Sequence, residues 1–307
     1  MKQNSKPDAH NPSLSILIPT YNDVCVDLVS SLSGQASAVD GLEYEILVAD
    51  DGSTDKRCVT ANREISHLPH CRYIERGDNV GRACIRNFLA REAHFDMLLF
   101  IDSHMSVISP NYLQHYLSCA DSQLVYGGYT IDTGNPQPNS LRYVYEKSCL
   151  AAQDYLKRRE RPYSNFHTSN FMISREVMLR YPFDERFRHY GYEDVLYGKT
   201  LKSANIPITH IDNALGFSRF ESNESFLGKT LEGLRTLYTF RQELSGYSRL
   251  LDLSAKFNRW KVLWLVRGIY GIIGSAVRRN LKGNHPSVLL FKVFRLGEYV
   301  KISCGEK

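Results

Sequence analysis

Hydrophobic and polar positions alternate over the first third of the chain in blocks that predict strands followed by helices. Four short runs have the length and composition of strands, at residues 14–18, 44–49, 71–75 and 97–101. Each of the first three runs leads into a helix or helix-capping segment, so the order strand-helix-strand-helix-strand-helix-strand is complete by residue 102. Because strands that alternate with helices pair in parallel, this order predicts a parallel sheet covered on both faces.

The last of these strands is the most apolar, and it leads directly into Asp102, Ser103 and His104. Five apolar residues in a row are too few for an amphipathic helix but suit a central strand that is buried on both sides. Ligands of open α/β sheets bind at the carboxyl ends of the strands. A carboxylate and an imidazole two residues apart can bind one divalent cation together with nucleotide phosphates. The alternative is a strand end with a capping Asp and an exposed His.

Two further segments near the predicted strand ends carry candidate chemistry. The cluster at residues 50–55 (Asp-Asp-Gly-Ser-Thr-Asp) predicts a turn and a helix cap, although two adjacent acids exceed what a cap requires. After the third strand, Gly81 precedes Arg82 and Arg86, which lie four residues apart on one helix face. An arginine pair beside a helix N-terminus suits a diphosphate, and a solvated basic face is the alternative.

After residue 102 the pattern becomes less regular. It predicts helices over residues 110–120, 141–161, 175–180, 193–203 and 222–244, strands over 123–129, 168–173 and 206–211, and a mobile loop over 132–140. Glu193 and Asp194 follow a glycine and lie between aromatic residues. This context favours a semi-buried pair at a pocket wall with a general-base candidate, whereas an ordinary acidic helix N-terminus is the alternative.

From residue 255 onward, tryptophans and aliphatic residues are mixed with basic residues, and no acid occurs between residues 256 and 282. Arg267 interrupts the apolar run before the roughly 20 residues that a spanning helix needs. The mixture favours a helix lying in the headgroup region of an anionic membrane. A second short apolar segment covers residues 291–300, and a helical hairpin packed on the domain is the alternative.

Length and composition fit an intracellular globular protein. The 307 residues carry a net charge of +5, enough chain for one large α/β domain and an appendage. Seven scattered cysteines with no Cys-x-x-Cys pair favour a reducing compartment without structural zinc. The polar first 11 residues lack the apolar core of a secretory signal, so we expect a cytoplasmic protein.

Four separated motifs resemble, in order and approximate spacing, those of the family-2 glycosyltransferases with the GT-A fold. They are Pro19-Thr20-Tyr21-Asn22, Asp50 to Asp55, Gly81 to Asn87, and Asp102-Ser103-His104. The resemblance covers residues from about 13 to about 240. It implies a Rossmann-like α/β fold with a mostly parallel central sheet and helices on both faces. It also implies an enzyme that moves a sugar from a nucleotide sugar to an acceptor hydroxyl, by one inverting displacement at the anomeric carbon.

The resemblance assigns nucleotide-binding roles to Pro19, Thr20, Tyr21, Asn22, Asp51, Gly81, Arg82, Arg86, Asp102 and Ser103. Thr20 and Tyr21 would line the nucleoside pocket, and Asp51 would hydrogen-bond the base, typically uracil. Asp102 and His104 occupy the Asp-x-Asp positions of the family and would bind Mn²⁺ or Mg²⁺ with the diphosphate. The histidine variant is similar to the Asp-x-His motif of the polypeptide N-acetylgalactosaminyltransferases.

The stretch Gly191-Tyr192-Glu193-Asp194 is similar to the Gly-Trp-Glu-Asp motif of galactosyl- and N-acetylgalactosaminyltransferases. This similarity implies that Asp194 is the catalytic base and that Glu193 holds the acceptor or the donor sugar. One departure concerns the cation, because Phe217 stands where relatives often carry a third metal-binding histidine. His210 would substitute for it only if the strand register allows.

The sequence therefore predicts a flexible N-terminus at residues 1–12, a GT-A domain at 13–245 and an amphipathic helical region at 246–307. Within the domain, residues 13–104 form the nucleotide-binding half and residues 105–245 the acceptor-binding half. The predicted enzyme transfers a sugar from a UDP-sugar to a glycan or lipid-linked acceptor in cell-surface polysaccharide biosynthesis. It is expected on the inner face of the plasma membrane, bound through its C-terminal helices to the anionic surface, with no nucleic-acid partner. The competing hypothesis is a catalytically degenerate nucleotide-sugar-binding or scaffolding protein.

Overall fold

A computed structural model describes residues 12–305 of the chain, so all but the last residue of the predicted flexible N-terminus lies outside the described residues. Its strands are β1 (Ser13–Thr20), β2 (Glu43–Asp50), β3 (Cys71–Glu75), β4 (Met97–Ile101), β5 (Leu124–Tyr126), β6 (Tyr129–Ile131), β7 (Asn170–Ser174), β8 (Thr209–His210) and β9 (Leu215–Phe217). Seven of them form one sheet in the order β3-β2-β1-β4-β7-β5-β8, and β6 pairs with β9 in a second sheet. The central sheet is mostly parallel, as predicted, but β7 runs antiparallel to both β4 and β5.

Helices lie around the sheet. They are α1 (Val26–Ser37), α2 (Lys56–Asn62), α3 (Arg82–Glu92), α4 (Tyr112–Leu117), α5 (Leu141–Gln153), α6 (Tyr155–Glu160), α7 (Arg175–Arg180), α8 (Glu193–Ser203), α9 (Asn223–Thr239), α10 (Arg249–Arg259), α11 (Leu263–Lys282) and α12 (Val288–Ser303), with a 3₁₀ turn over Arg63–His67. This α/β architecture with added C-terminal helices is the predicted fold class.

Strand β4 lies at the centre of the fold. Because side chains alternate along a strand, Leu98 and Phe100 enter the core on one face of the sheet, and Leu99 and Ile101 enter the core on the other. All four side chains are fully buried, which confirms the prediction of a strand that is covered on both sides. Asp102 therefore follows directly after the carboxyl end of this buried strand.

The predicted elements after residue 102 are partly wrong. The strand predicted over 123–129 is split into β5 and β6 by two glycines, and Gly128 has a φ of 83° that strongly favours glycine. The helix predicted over 141–161 breaks at Asp154, whose carboxylate caps α6 by accepting from the amides of Leu156 and Lys157. The strand predicted over 206–211 shrinks to two residues, and β9 was not predicted at all.

The C-terminal helices pack on the rest of the fold through one side. Phe291, Phe294 and Tyr299 of α12 are buried, and α12 contacts α5, α9 and α11. The Tyr270 hydroxyl of α11 donates to Glu298 Oε1 of α12 at 2.6 Å. Helices α11 and α12 therefore form a hairpin that packs on the domain, which is the alternative given for this region. The domain boundary at residue 245 stays a prediction.

A search of residues 12–305 finds no single helix that is both long and apolar enough to cross a membrane. Helices α10 and α11 pass that criterion only as a pair, and the pair bends by 116° at the break between them.

Candidate active site

Helix α3 brings together motifs that are far apart in the sequence. Arg86 on this helix donates from Nη2 to Asp102 Oδ1 at 2.7 Å, and its Nη1 lies 3.5 Å from Glu193 Oε1 at the start of α8. The Arg86 side chain is only 1% exposed. The end of β4 and the beginning of α8 therefore meet at a buried, hydrogen-bonded ion cluster.

This cluster gives its two acids opposite pKa shifts. Burial tends to raise the pKa of Asp102, but the charges of Arg86, His104 and Arg82 outweigh it and hold the pKa below its ordinary value. Burial raises the pKa of Glu193 above its ordinary value, even though Arg82 and Arg86 oppose this rise. At neutral pH the carboxyl group of Asp102 is ionised and compensates the charge of Arg86.

Arg82 and Arg86 differ in their availability to a ligand. Arg86 donates hydrogen bonds to Asp102 and Glu193 and so holds the two acids in place. Its predicted contact with a diphosphate stays a prediction. The Arg82 side chain is 44% exposed and lies 3.9 Å from Glu193 Oε1. Its guanidinium stands 4.7 Å from the ring centroid of Tyr190. Arg82 is thus the more accessible cation of the predicted pair.

Asp51 fixes the loop that precedes α3. Its two carboxylate oxygens accept from the backbone amides of Val80 and Gly81, at 3.0 and 2.9 Å. Burial raises the pKa of Asp51, although these hydrogen bonds oppose the shift. Gly81 has a φ of 90°, and a Cβ there would lie 2.7 Å from the carbonyl oxygen of Arg188. The predicted contact of Asp51 with a base stays a prediction.

The residues at the end of β1 form a second wall of the same region. Pro19 and Thr20 lie within β1, and Tyr21, which is 45% exposed, follows the strand. Asn22 has a φ of 50°, and its side-chain oxygen accepts from the amides of Thr54 and Asp55, both at 2.8 Å. Asn22 therefore joins the first two polar clusters.

Asp23 and Arg219 complete this wall, and sequence reasoning missed both. Ser103 Oγ donates to Asp23 Oδ2 at 2.8 Å, and Arg219 Nη1 lies 3.1 Å from Asp23 Oδ1. Arg219 Nη2 also donates to the carbonyl oxygen of Ser103 at 3.4 Å. Asp23 follows the first polar cluster directly and could have been included with it. Nothing in the sequence around Arg219 indicates this contact.

Asp194, the predicted base, is oriented by a histidine that the sequence did not single out. Its Oδ2 lies 3.0 Å from His167 Nδ1, and its Oδ1 accepts from the amide of Val195 at 2.8 Å. Burial tends to raise the pKa of Asp194, but the hydrogen bond and charge of His167 outweigh it and keep the pKa below its ordinary value. Gly191 and Tyr192, which precede the two acids of the motif, have φ values of 94° and 69°. The backbone therefore turns sharply just before α8 begins.

The predicted cation site has two candidate protein ligands, Asp102 and His104. Within residues 12–305, no group of three or more His, Cys, Asp and Glu side chains is arranged to hold a metal ion. Burial lowers the pKa of His104, which keeps its ring neutral and able to ligate a metal. Phe217 packs edge-on against that ring, with centroids 5.1 Å apart. A cation at Asp102 and His104 would therefore need oxygens of the substrate to complete its coordination.

The suggestion that His210 supplies a third ligand is wrong. Its Nδ1 lies 3.4 Å from Arg158 Nη1, and its Nε2 lies 3.0 Å from the carbonyl oxygen of Pro162. The residue sits on β8, which pairs with β5, and its ring packs against Tyr126. Both ring nitrogens are thus used within the protein, because the short strand register turns this histidine into the core.

Comparison with known proteins bears on the family and the fold of the chain. Residues 15–181 match the sequence model of "Glycosyl transferase family 2". Validoxylamine A glucosyltransferase from Streptomyces hygroscopicus subsp. limoneus is 29% identical in an alignment over 232 residues, and the match covers 66% of this chain and 50% of that protein. Chondroitin synthase from Pasteurella multocida is 25% identical over 244 residues, covering 69% of this chain and 25% of the synthase. This chain therefore spans half or less of the length of these relatives.

Solved structures share the fold at lower identity. The mannosyltransferase PcManGT from Pyrobaculum calidifontis, in complex with GDP-Man and Mn²⁺, superposes with a TM-score of 0.56 at 14% identity, covering 98% of this chain and 88% of that one. S. aureus TarS in complex with UDP superposes with a TM-score of 0.52 at 18% identity, covering 94% and 90% of the two chains.

Proposed function

The chain belongs to glycosyl transferase family 2, a family of sugar-transferring enzymes, and from this premise we propose that it transfers a sugar from a nucleotide sugar to a hydroxyl group. One observation carries the proposal. Arg86 joins Asp102, at the predicted nucleotide end of the site, to Glu193, which neighbours the predicted base Asp194. This contact supports the proposal, because it brings the predicted donor end and the predicted acceptor end of the site to the same side chain of α3.

We infer a single displacement with inversion. The acceptor oxygen forms a bond to the anomeric carbon while the bond from that carbon to the diphosphate oxygen breaks, and the electron pair leaves with the nucleotide. Asp194 takes the proton of the acceptor hydroxyl, because His167 keeps it ionised and oriented. Arg82 is exposed and stabilises the charge that develops on the departing diphosphate.

A divalent cation, Mn²⁺ or Mg²⁺, is part of the proposal. Asp102 and His104 are the residues that would hold it, shared with oxygens of the donor. When bound, it supplies charge neutralisation for the leaving diphosphate. One oxygen of Asp102 already accepts from Arg86, so the chain by itself offers a weak site.

UDP-sugar is the proposed donor, and the acceptor is proposed to be a growing glycan or a lipid-linked sugar. Support comes from TarS, whose structure contains UDP, and from the chondroitin synthase relative, which is a polysaccharide synthase. Conversely, PcManGT binds GDP-Man at a comparable structural similarity, so GDP-sugars belong in the same test.

Measuring donor turnover distinguishes an enzyme from the competing binding or scaffolding protein. The purified protein is incubated with a panel of UDP- and GDP-sugars, with and without MnCl₂, and release of the nucleoside diphosphate is measured. We expect release from at least one donor, abolished in Asp102→Asn and retained in Asp252→Asn, a control on α10. Binding of UDP without release from any donor, or equal release by Asp102→Asn, would contradict the proposal.

We also propose that the protein lies on the inner face of an anionic membrane through α10 and α11. Their outer surface carries the exposed apolar side chains Leu253, Trp260, Trp264, Leu265, Ile269, Ile272 and Ile273. Basic residues are interspersed with them along the same segment, namely Lys256, Arg259, Lys261, Arg267, Arg278, Arg279 and Lys282. Two of these are also paired within the protein, Arg278 with Glu298 and Lys282 with Glu224. Tryptophan and aliphatic side chains bordered by cations match the interface of an anionic bilayer.

Vesicle co-sedimentation tests this membrane proposal. We expect binding to vesicles containing phosphatidylglycerol, weaker binding to phosphatidylcholine alone, and loss of binding in the double variant Trp264→Ser, Ile272→Ser, which changes side chains that are 73% and 82% exposed. Leu156→Ser, on α6 and 54% exposed, serves as the matched control. Unchanged sedimentation of the double variant would refute the proposal. Substitution is preferable to truncation, because deleting α12 would remove its buried aromatic residues from the core.

A further inference from the structure

Three arginines from different elements surround the tripeptide Asp102-Ser103-His104. Arg82 comes from α3, Arg142 from α5, and Arg219 from the segment after β9. Arg219 donates to the carbonyl oxygen of Ser103, and Arg142 stands over the Phe217 ring that packs against His104. Arg82 lies beside Glu193, which shares Arg86 with Asp102. Each of the three has a carboxylate partner, namely Glu193, Glu146 and Asp23. Guanidinium groups that converge on one strand end can in addition pair with the phosphates of an anionic ligand.

Arg142 is held rigidly at the edge of this site. Its guanidinium carbon lies 5.3 Å from the ring centroid of Phe217 and 4.9 Å from that of Phe226. Its Nη2 is 2.7 Å from Glu146 Oε1, and Glu146 in turn accepts from the Tyr129 hydroxyl at 2.8 Å. The side chain keeps 21% of its surface exposed, and its buried Nε has no hydrogen-bond partner within the described chain. Arg142 therefore presents a fixed, incompletely satisfied guanidinium.

Phe217 connects this guanidinium to the cation position. The same ring packs edge-on against His104 and lies under Arg142. The space beside His104, where a tighter metal site would need a third donor, is thus filled by the Phe217 ring with the Arg142 guanidinium over it. Residues 12–305 offer no such donor group.

We propose that Arg142, together with Arg82, is a fixed counter-charge for the diphosphate of the nucleotide donor and takes the place of a third protein ligand to the cation. This inference rests on the proposed function, because it assigns a binding residue to the same site. Planar guanidinium groups pair well with phosphate oxygens and need no coordination geometry. Nucleotide binding here consequently depends only weakly on the divalent cation.

Calorimetric titration with nucleotides tests the inference without measuring turnover. UDP, GDP and uridine are titrated into the wild-type protein with excess EDTA or with MnCl₂. We expect UDP or GDP to keep its affinity within about tenfold when EDTA replaces the metal. Arg142→Gln should lose about tenfold or more of this affinity in EDTA and keep its affinity for uridine, which has no phosphate. Arg142→Lys, which preserves the charge beside Glu146, should fall between the two.

Two further variants sharpen the result. Arg241→Gln is the matched control, because its guanidinium also stands over an aromatic ring, 4.4 Å from the centroid of Tyr238. It should bind UDP as the wild type does. Phe217→His supplies a third donor and should increase the gain in UDP affinity that Mn²⁺ produces.

The outcomes separate this inference from the proposed function. Equal affinity of Arg142→Gln and wild type in EDTA, or wild-type binding that disappears completely without Mn²⁺, would overturn the role of Arg142 alone. Failure of UDP and GDP to bind under any condition would overturn the nucleotide-sugar proposal as well. Retained uridine binding in the variants shows that they are folded.

Discussion

Removing Arg86 should destabilise the whole protein. Arg86→Met keeps the length of the side chain but leaves Asp102 and Glu193, which are 15% and 5% exposed, without their shared cation. Breaking a buried ion pair by removing one partner costs about 3–5 kcal/mol, because a charge is left buried and uncompensated. We therefore expect the free energy of unfolding at neutral pH to fall by about 3–5 kcal/mol.

The pH dependence of this loss has a definite sign. In the wild type the folded-state pKa of Asp102 is below its ordinary value, because Arg86, His104 and Arg82 outweigh the effect of burial. Asp102 therefore contributes stability above its unfolded pKa, and this contribution is lost as pH falls through the folded pKa. Without Arg86, burial raises the pKa of both acids, so the variant gains stability as they protonate. The difference between the two proteins should be largest at neutral pH and shrink toward about pH 4.

Urea denaturation followed by far-UV circular dichroism measures this difference. Tryptophan fluorescence is unsuitable, because Trp260 and Trp264 are both exposed. Arg57→Met, which removes an arginine whose side chain is 92% exposed, is the control and should leave the midpoint unchanged. A loss below about 1 kcal/mol in Arg86→Met, or a loss that is equal at neutral and acidic pH, would refute the reasoning.

Three other predictions concern the site and its surroundings. Asp194→Asn should abolish sugar transfer with an unchanged circular dichroism spectrum, and unchanged turnover would refute the assignment of Asp194 as the base. His167→Gln should lower kcat about tenfold to a hundredfold, because the base then loses the side chain that orients it. Gly81→Ala should lower the urea midpoint, because a Cβ would lie 2.7 Å from the Arg188 carbonyl oxygen at a φ of 90°, and an unchanged midpoint would contradict this. Burial, with the charge of Asp23 adding to it, raises the pKa of the Cys25 thiol to about 12, so iodoacetamide at pH 8 should leave it unmodified until urea unfolds the protein.

The first half of the fold was predictable because its signals are local. The run of residues 97–101 is apolar throughout and matches β4 at both ends, and residues 71–75 match β3. The second half depends on tertiary contacts. Gly128 is required because a Cβ there would lie 2.7 Å from the guanidinium of Arg158. Strand β9 has three residues and is held by pairing with β6 and by a bridge between Gly216 and Ser106. No periodicity in the sequence reveals either feature.

The candidate site shows the same division. Asp102 and Glu193 could be proposed from motifs, and the structure brings them together through Arg86. His167 could not, because a single histidine before a strand carries no pattern, and its 3.0 Å contact with Asp194 arises only when β7 and α8 are assembled. Arg142 could not be proposed for a similar reason, because its position depends on contacts with the rings of Phe217 and Phe226.

Helix α3 connects the separate parts of the candidate site. At its N-terminus, Asp51 fixes the preceding loop through the amide of Gly81. One turn later Arg86 reaches Asp102 and Glu193, and the next residue, Asn87, exchanges two hydrogen bonds of 2.9 Å with the backbone of Phe183. One helix thus holds the loop that precedes it, the end of β4 and the segment that leads to α8. A displacement of α3 would therefore move Asp102 and Glu193 together, because Arg86 holds both carboxylates.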